Sequence, residues 1–505
     1  MAAETNRLRY LRQLGQESLV YGLAGVVSKF IGFFLVPIYT RIFSPADYGV
    51  MGLITTTMAA VSIFVVLGLD SAAGRWYYDS DEIEDRKRTI ATWGVTQVTV
   101  AVFFGLLIFL FAQRLGVLLV GQASTGIYFQ YSGIWLPFSA LGVVTMNWLR
   151  FQRRPWATVI FALVLSLTNI LSSILFVVVL HWGLSGVYLA QLLSGVVSTI
   201  LAILMLRDWI NPLRFALQRL KVMLRFALPL IPGAMAFWVV SFSDRYFVEF
   251  YTNTTQVGLY QLGANLAAAV AILTNAFQQA WGPFAMSIHT HKDARQVYAT
   301  SLLAYLGITC LATVGLTLLG PEIVDLIATR QYLGASTVIG FLAMGYVMIG
   351  LNYIAATGPT IVKRSGPIGI AMMIAAALNI LLNIILVPRF GRTGSALATM
   401  IAQSVIPFYI FYRAQRMYPI PYRFGAALEI IGLTIGLIIF GLLWQPANPW
   451  LSAAVRVALT LLYIPALFGL RILRIDQVRG LLRLNRSEQL STNDTTDGVE
   501  KPARL

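Results

Sequence analysis

Lys29 stands in the middle of an unbroken apolar stretch, on a helical face it shares with Gly22, Gly25 and Gly32 at spacings of three, four and three. An ammonium at that depth in hydrocarbon costs several kcal/mol, roughly 3 on insertion scales, unless it faces water or a counter-charge. The glycine face must therefore point into the protein. There the lysine holds an anionic group in a cavity, pairs with a buried acid, or snorkels along the glycine face. A second set, Asp244, Arg245 and Glu249, falls in the seventh apolar stretch. Arg245 and Glu249 are one helical turn apart and able to pair, whereas Asp244, adjacent to Arg245, is expected on a different face. Lys29 and Arg245 offer positive charge to a phosphate or acidic sugar. Asp244, Glu249 and Asp70 are candidates for ion coupling or for pairing. Arg41 and Arg75, at the ends of apolar stretches, are candidates for lining an entrance, and anchoring at the membrane boundary is the plainer reading of both.

Other groupings that resemble chemistry carry less. Asp79-Ser80-Asp81 has the spacing of a metal-binding pair of carboxylates, but Glu82, Glu84 and Asp85 and then Arg86, Lys87 and Arg88 follow it, so a solvated charge run explains it. His289 and His291 lack a third ligand for zinc. A single cysteine, Cys310, excludes an intramolecular disulfide and a cysteine-based metal cluster. There is no phosphate-binding glycine loop and no serine, histidine and aspartate set. No cofactor is expected, and no catalytic residue. The expectation is a transporter.

The elements that position these residues follow from composition. Of 505 residues, 58% are hydrophobic and 11% charged, against about 25% charged in a soluble domain. The chain is read as an all-α polytopic membrane protein, because each crossing segment must satisfy its own backbone hydrogen bonds. Fourteen helices are predicted, at 17–40, 49–70, 89–111, 125–148, 156–180, 184–206, 227–250, 256–281, 298–320, 334–358, 366–388, 393–413, 424–444 and 450–470, each near the roughly 20 residues that cross a bilayer. Of the 37 Lys and Arg, 29 fall on the N-terminus, every second loop and the C-terminus, and five on the opposite loops. Both termini are therefore placed in the cytoplasm, with the chain in the cytoplasmic membrane. The net charge of +16 is the mark of this topology and of loops beside anionic lipid, with no call on nucleic acid.

The chain also echoes itself. Asn169-Ile170-Leu171 and Gly186 recur as Asn379-Ile380-Leu381 and Gly394, and Ser44 to Gly49 recur as Asn253 to Gly258, at offsets of 208 to 210. Two lobes of six helices are expected, 17–206 and 227–413, after a cytoplasmic N-terminus of 1–16. Six crossings return the chain to its starting side, so the repeat is parallel. Residues 207–226 form a linker on the cytoplasmic surface, in which Leu213, Leu217, Leu220 and Leu224 share one helical face and Arg214, Gln218, Lys221 and Arg225 another. Two further helices, 424–470, stand outside the repeat, with Glu429 and Arg456 read as structural. A basic cytoplasmic tail, 471–505, follows.

Pro37-Ile38-Tyr39-Thr40-Arg41 followed by Asp47-Tyr48-Gly49, Ser243-Asp244-Arg245 followed by Val257-Gly258-Leu259-Tyr260, and the two Asn to Gly segments resemble the Wzx-type O-antigen and polysaccharide flippases of the MOP (MATE-like) exporter superfamily. The resemblance covers the first twelve helices. It implies two lobes around a central cationic cavity and alternating access. It implies movement of an undecaprenyl-diphosphate-linked oligosaccharide across the bilayer for O-antigen, exopolysaccharide or capsule synthesis, alongside a polysaccharide polymerase and glycosyltransferases. Two alternatives stay open, a MATE-type drug or cation antiporter and a lipid II flippase. The presence of Lys29, with no acid in the first helix, favours anionic cargo.

Overall fold

The structure, a computed structural model, describes residues 34–444 and 448–469. Lys29, residues 1–16 and the tail 471–505 lie outside the described residues. Every element among those described is helical. In chain order they are α1 (Leu35–Ile42), α2 (Pro45–Val66), α3 (Leu69–Asp79), α4 (Ile83–Leu110), α5 (Ala112–Val120), α6 (Gly126–Phe151), α7 (Pro155–Ser173), α8 (Gly183–Leu206), α9 (Leu217–Ala227), α10 (Ile231–Phe242), α11 (Asp244–Tyr251), α12 (Thr254–Ser287), α13 (Ala294–Leu318), α14 (Gly320–Ile327), α15 (Ser336–Ala355), α16 (Thr357–Ile361), α17 (Gly366–Met417), α18 (Phe424–Leu443) and α19 (Pro449–Gly469). Eleven helices among the described residues are long and apolar enough to cross a membrane.

Local chemistry sets the breaks. The predicted second helix is longer than its apolar core and is interrupted, because Leu67 and Gly68 adopt left-handed conformations (φ 52° and 68°) between α2 and α3. The predicted eleventh and twelfth helices run together as the 52 residues of α17. At 1.5 Å per residue that is about 78 Å, far more than the roughly 30 Å of a hydrocarbon layer. Gly391 divides it, at φ 54° and ψ −136°, where a side chain would be strained. The predicted seventh helix is assembled from α10 and α11, with Ser243 at the joint.

Two compact units emerge. Among the described residues, the first gathers 34–266, 323–342 and 369–405, and the second 267–322, 343–368, 406–444 and 448–469. Compactness records contact and a repeat records equivalence, so the two partitions differ. In the first unit, α6 packs against α4 and α8. Its apolar core joins Leu69 and Tyr77 of α3, Trp93 of α4, Trp148 of α6, Phe161 of α7, Leu206 of α8 and Met223 of α9. Fully burying such a side chain contributes about 1.5–3 kcal/mol over leaving it in water.

The linker is docked onto this core. Asn211 caps a short turn at Pro212–Arg214, accepting from the Leu213 amide at 2.9 Å. The helix itself starts only at Leu217, so Leu213 does not join its apolar face and is 92% exposed. The buried residues are Met223 and Ala227, one turn apart. Arg219 pairs with Asp85, Arg214 with Glu84 at 3.3 Å, and the Ala216 amide donates to Thr92 Oγ1 at 3.1 Å. The acidic start of α4 thus receives the basic linker, in keeping with the preference of a helix N-terminus for carboxylates. Asp81, from the acidic triplet, takes Arg86 at 3.0 Å.

In the second unit α18 and α19 pack against α13. Thr434 and Tyr463 share a hydrogen bond of 3.1 Å. Arg456, 7% exposed, reaches Glu322 at 2.6 Å. A charge-assisted bond of this kind stabilises by about 1.5–3 kcal/mol. Arg456→Met is expected to lower the thermal midpoint of the purified protein, and adding Glu322→Gln to restore part of it, because the second change removes the stranded carboxylate. An unchanged midpoint in the single variant would show that the pair does not hold α19.

Candidate functional site

Among the described residues of the first unit, the most buried charges are Asp244 and Arg245, 1% and 6% exposed. They pair with each other. Arg245 Nη1 lies 2.7 Å from Asp244 Oδ1, and the Arg245 amide donates to the same oxygen at 2.9 Å. The expectation that Asp244 points elsewhere is corrected. Asp244 opens α11, where a carboxylate can turn back onto the next amide, and the long arginine side chain folds toward it. Arg245 is fixed further by the Ser241 carbonyl at 2.8 Å and Gln261 Oε1 at 3.1 Å. Its guanidinium carbon lies 5.4 Å and 5.3 Å from the ring centres of Phe242 and Tyr260.

Neutral polar groups complete the shell. The Tyr260 hydroxyl donates to Asp244 Oδ2, and Thr399 Oγ1 approaches the same oxygen at 3.4 Å. Asn379 Nδ2 donates to Thr399 at 3.4 Å, and Asn383 Nδ2 to the Asn379 carbonyl at 2.9 Å. Ser395 Oγ donates to Asn383 Oδ1 at 2.6 Å. The break at Gly391 lets the two halves of α17 present these residues to one place: Asn379 and Asn383 come from before it, Ser395 and Thr399 from after it. The pair carries no net charge, and its hydrogen bonds offset part of the cost of desolvating two ions.

A relay leaves this cluster. Gln261 Nε2 donates to Asn265 Oδ1 at 3.0 Å, and Asn265 Nδ2 to the Tyr48 hydroxyl at 2.9 Å. Next to Tyr48, the first turns of α2 and α12 touch backbone to backbone. A Cβ on Gly49 would overlap the Thr254 carbonyl, and one on Gly258 the Pro45 carbonyl. These are the glycines that end the repeated segments, and each segment is a helix start. Ser44 and Asp47 form a reciprocal capping box, and the Asn253 side chain accepts from the Gln256 amide at 3.1 Å. The repeat therefore meets itself. Tyr332 braces the contact, donating to the Phe43 carbonyl at 2.9 Å.

The remaining candidates are not gathered here. Arg41 is exposed at the end of α1, and Arg75 is exposed on α3. The 22 residues of α2, about 33 Å of helix, lie between them. Arg75 rests over the rings of Trp76 and Phe226, at 5.8 Å and 5.6 Å. Asp70 is half-buried in the first turn of α3. Glu249 accepts from Thr254 Oγ1 at 2.8 Å. Sequence reasoning did not single out Tyr260, Asn383 or Thr399. Their signal was present: Asn379 and Asn383 are four apart in a strongly apolar run, and thus on one face.

Comparison with known proteins supplies the setting. The polysaccharide biosynthesis protein family matches residues 38–337. A protein of the Lsg locus of Haemophilus influenzae is 23% identical over 304 residues, which span 58% of this chain and 71% of that one. Among solved structures, the lipid II flippase MurJ in an inward closed conformation superposes with a TM-score of 0.73 at 16% identity, over 90% of this chain and 100% of that one. An inward-facing multidrug MATE transporter of the MOP superfamily gives 0.63 at 15% identity, over 77% and 94%. The resemblance to Wzx-type flippases stands. The chain is a multi-pass membrane protein that belongs to the polysaccharide biosynthesis protein family, on the fold shared by MurJ and the MATE transporters.

Proposed function

We propose that this chain is a flippase that carries a polyprenyl-diphosphate-linked oligosaccharide across the cytoplasmic membrane by alternating access, as a step in building a surface polysaccharide. The observation that carries the reading is the buried Asp244–Arg245 pair in a membrane chain of a polysaccharide family, since charges buried in a membrane protein are costly and mark functional sites. The name of the MurJ protein, a lipid II flippase, points the same way. Fourteen helices in two parallel six-helix lobes, with both termini cytoplasmic and α18 and α19 as additions, is the arrangement this function uses.

Lys29 and Arg245 are the cations offered to the diphosphate, with Arg41 and Arg75 at the two approaches. Asp244 is the coupling group. A single carboxylate among neutral oxygens suits a proton or a monovalent cation better than a divalent one, which prefers several carboxylates. An ion arriving at Asp244 would weaken its hold on Arg245 and free the guanidinium for the cargo. The Gly49–Gly258 contact, linked to Arg245 through Gln261, Asn265 and Tyr48, is the seal on the outer side in this state.

Lys29→Ala is expected to abolish surface polysaccharide at normal protein abundance. Arg245→Lys is expected to leave a fraction of it, since an ammonium keeps the charge and loses the fork of donors. Wild-type export in both would sink the cationic site. Asp244→Asn is expected to cut export to the level that an ionophore imposes on the wild type, and to make the ionophore without further effect. A variant still sensitive to the ionophore would remove Asp244 from coupling. Gly258→Ala is expected to lower export at least tenfold with the protein present in the membrane by immunoblot, because one methyl group keeps the seal from closing. Unchanged export would show that these helices part without consequence.

A further inference from the structure

Two adjoining cavities of the first unit stand out, one of about 540 Å³ among α1, α2, α6, α7 and α8 and one of about 380 Å³ among α6, α7 and α8. Both fall in the range of about 300–1,000 Å³ typical of small-molecule sites. They meet at Trp135, Leu165 and Ser194, which line both. Along α6 they extend from Ser132 to Arg150, about 27 Å of helix and close to the thickness of the hydrocarbon layer.

The lining has a definite chemistry. Neither cavity has an Asp or Glu among its described lining residues, and the single ionised group is Arg150. Hydroxyls and amides take their place, including Asn169 and Gln191. Two of the hydroxyls are buried without a hydrogen-bond partner, Tyr188 Oη in the first cavity and Ser198 Oγ in the second, each residue 4% exposed. Buried polar atoms are nearly always paired, so these two unpaired oxygens beside the cavities are open to a polar partner that a small side-chain movement would admit. At the waist, Gly195 backs onto Trp135. A Cβ there would come 3.1 Å from the indole Cδ1, so glycine lets α8 close against the ring and hold it in place.

We infer that this pair of cavities is a binding track for the uncharged sugar rings of the cargo, with Trp135 as its stacking platform. The inference rests on the flippase reading above and adds a site whose described lining residues include none of the Asp244 cluster. A pyranose offers one face of C–H bonds, weakly positive, which suits the negative face of an indole. Its rim of hydroxyls both donates and accepts, which suits Tyr188, Ser198, Asn169 and Gln191. An organic cation would need a carboxylate, and the described lining residues offer none.

The test compares binding of farnesyl diphosphate carrying a neutral hexose disaccharide with binding of farnesyl diphosphate alone, by calorimetry on the full-length protein in nanodiscs. Trp135→Ala is expected to weaken the glycosylated probe at least tenfold and to leave the sugar-free probe unchanged. Tyr188→Phe is expected to weaken the glycosylated probe about fivefold without lowering the thermal midpoint, since it removes a hydroxyl that has no partner in the protein. Equal losses for both probes, or none for either, would overturn the sugar track and leave the flippase reading standing. Failure of the wild type to bind either probe would overturn both. Saturable binding of tetraphenylphosphonium that Trp135→Ala abolishes would reassign the track to a cation.

Discussion

A guanidinium buried inside a protein must find a counter-charge and enough polar neighbours to replace its water, and the arrangement around Arg245 follows from that demand. Asp244 neutralises it, Gln261 and the Ser241 carbonyl take two of its donors, and two aromatic faces cover it. The carboxylate has the same need, and Tyr260 and Thr399 serve it. Thr399 reaches that place because α17 is broken at Gly391, and Asn379 and Asn383 come from the other side of the same break. A backbone irregularity and a buried ion pair that look unrelated in sequence are thus one solution. Removing either ion alone would leave the other stranded, which costs about 3–5 kcal/mol in buried pairs.

The same cluster ties charge to mechanics. Gln261 and Asn265 carry hydrogen bonding from Arg245 to Tyr48, which stands one residue before Gly49. Gly49 and Gly258 permit a backbone contact that any side chain would forbid. Under the proposed alternating access, such a contact would be either closed or parted, because close-packed backbone does not deform gradually. A relay ending on such a contact allows a small shift at Arg245 to bias a larger movement. Coupling between charge and gate in the proposed flippase rests on that contact having two states.

What was legible in the sequence follows from which signals are strong singly. Long apolar stretches gave the helices, and the Asn211-Pro212 turn announced the linker that packs on α3 and α4. Charges in apolar stretches drew attention to Asp244 and Arg245. Their partners did not stand out, because a lone Tyr, Thr or Asn in a membrane helix is inexpensive and common, and only three-dimensional convergence gives it a role. The left-handed turn at Leu67 and Gly68 was hidden too, since neither a leucine nor a glycine in an apolar helix forces a break. The repeat predicted that Gly49 and Gly258 are equivalent. It had no means of showing that they touch, because similarity reports common form and proximity depends on how the copies pack.

Repeat-related positions have also diverged in a way that bears on function. Asn169 lines the larger cavity beside hydroxyls and an indole, whereas Asn379, its counterpart, is fully buried in the ion-pair cluster. One turn on, the contrast continues: Ser173 accepts from Tyr39 at 3.0 Å, and Asn383 bonds back to Asn379. If both copies handled the same chemistry, both would be expected to carry charge or both to carry a cavity. They divide instead, with an open neutral lining at one copy and a closed, ion-paired cluster at the other. Such a division is what a carrier of an amphiphilic, anionic glycolipid would need, because the sugar must be held by many weak contacts that release easily. The step that moves it needs a few strong ones that switch.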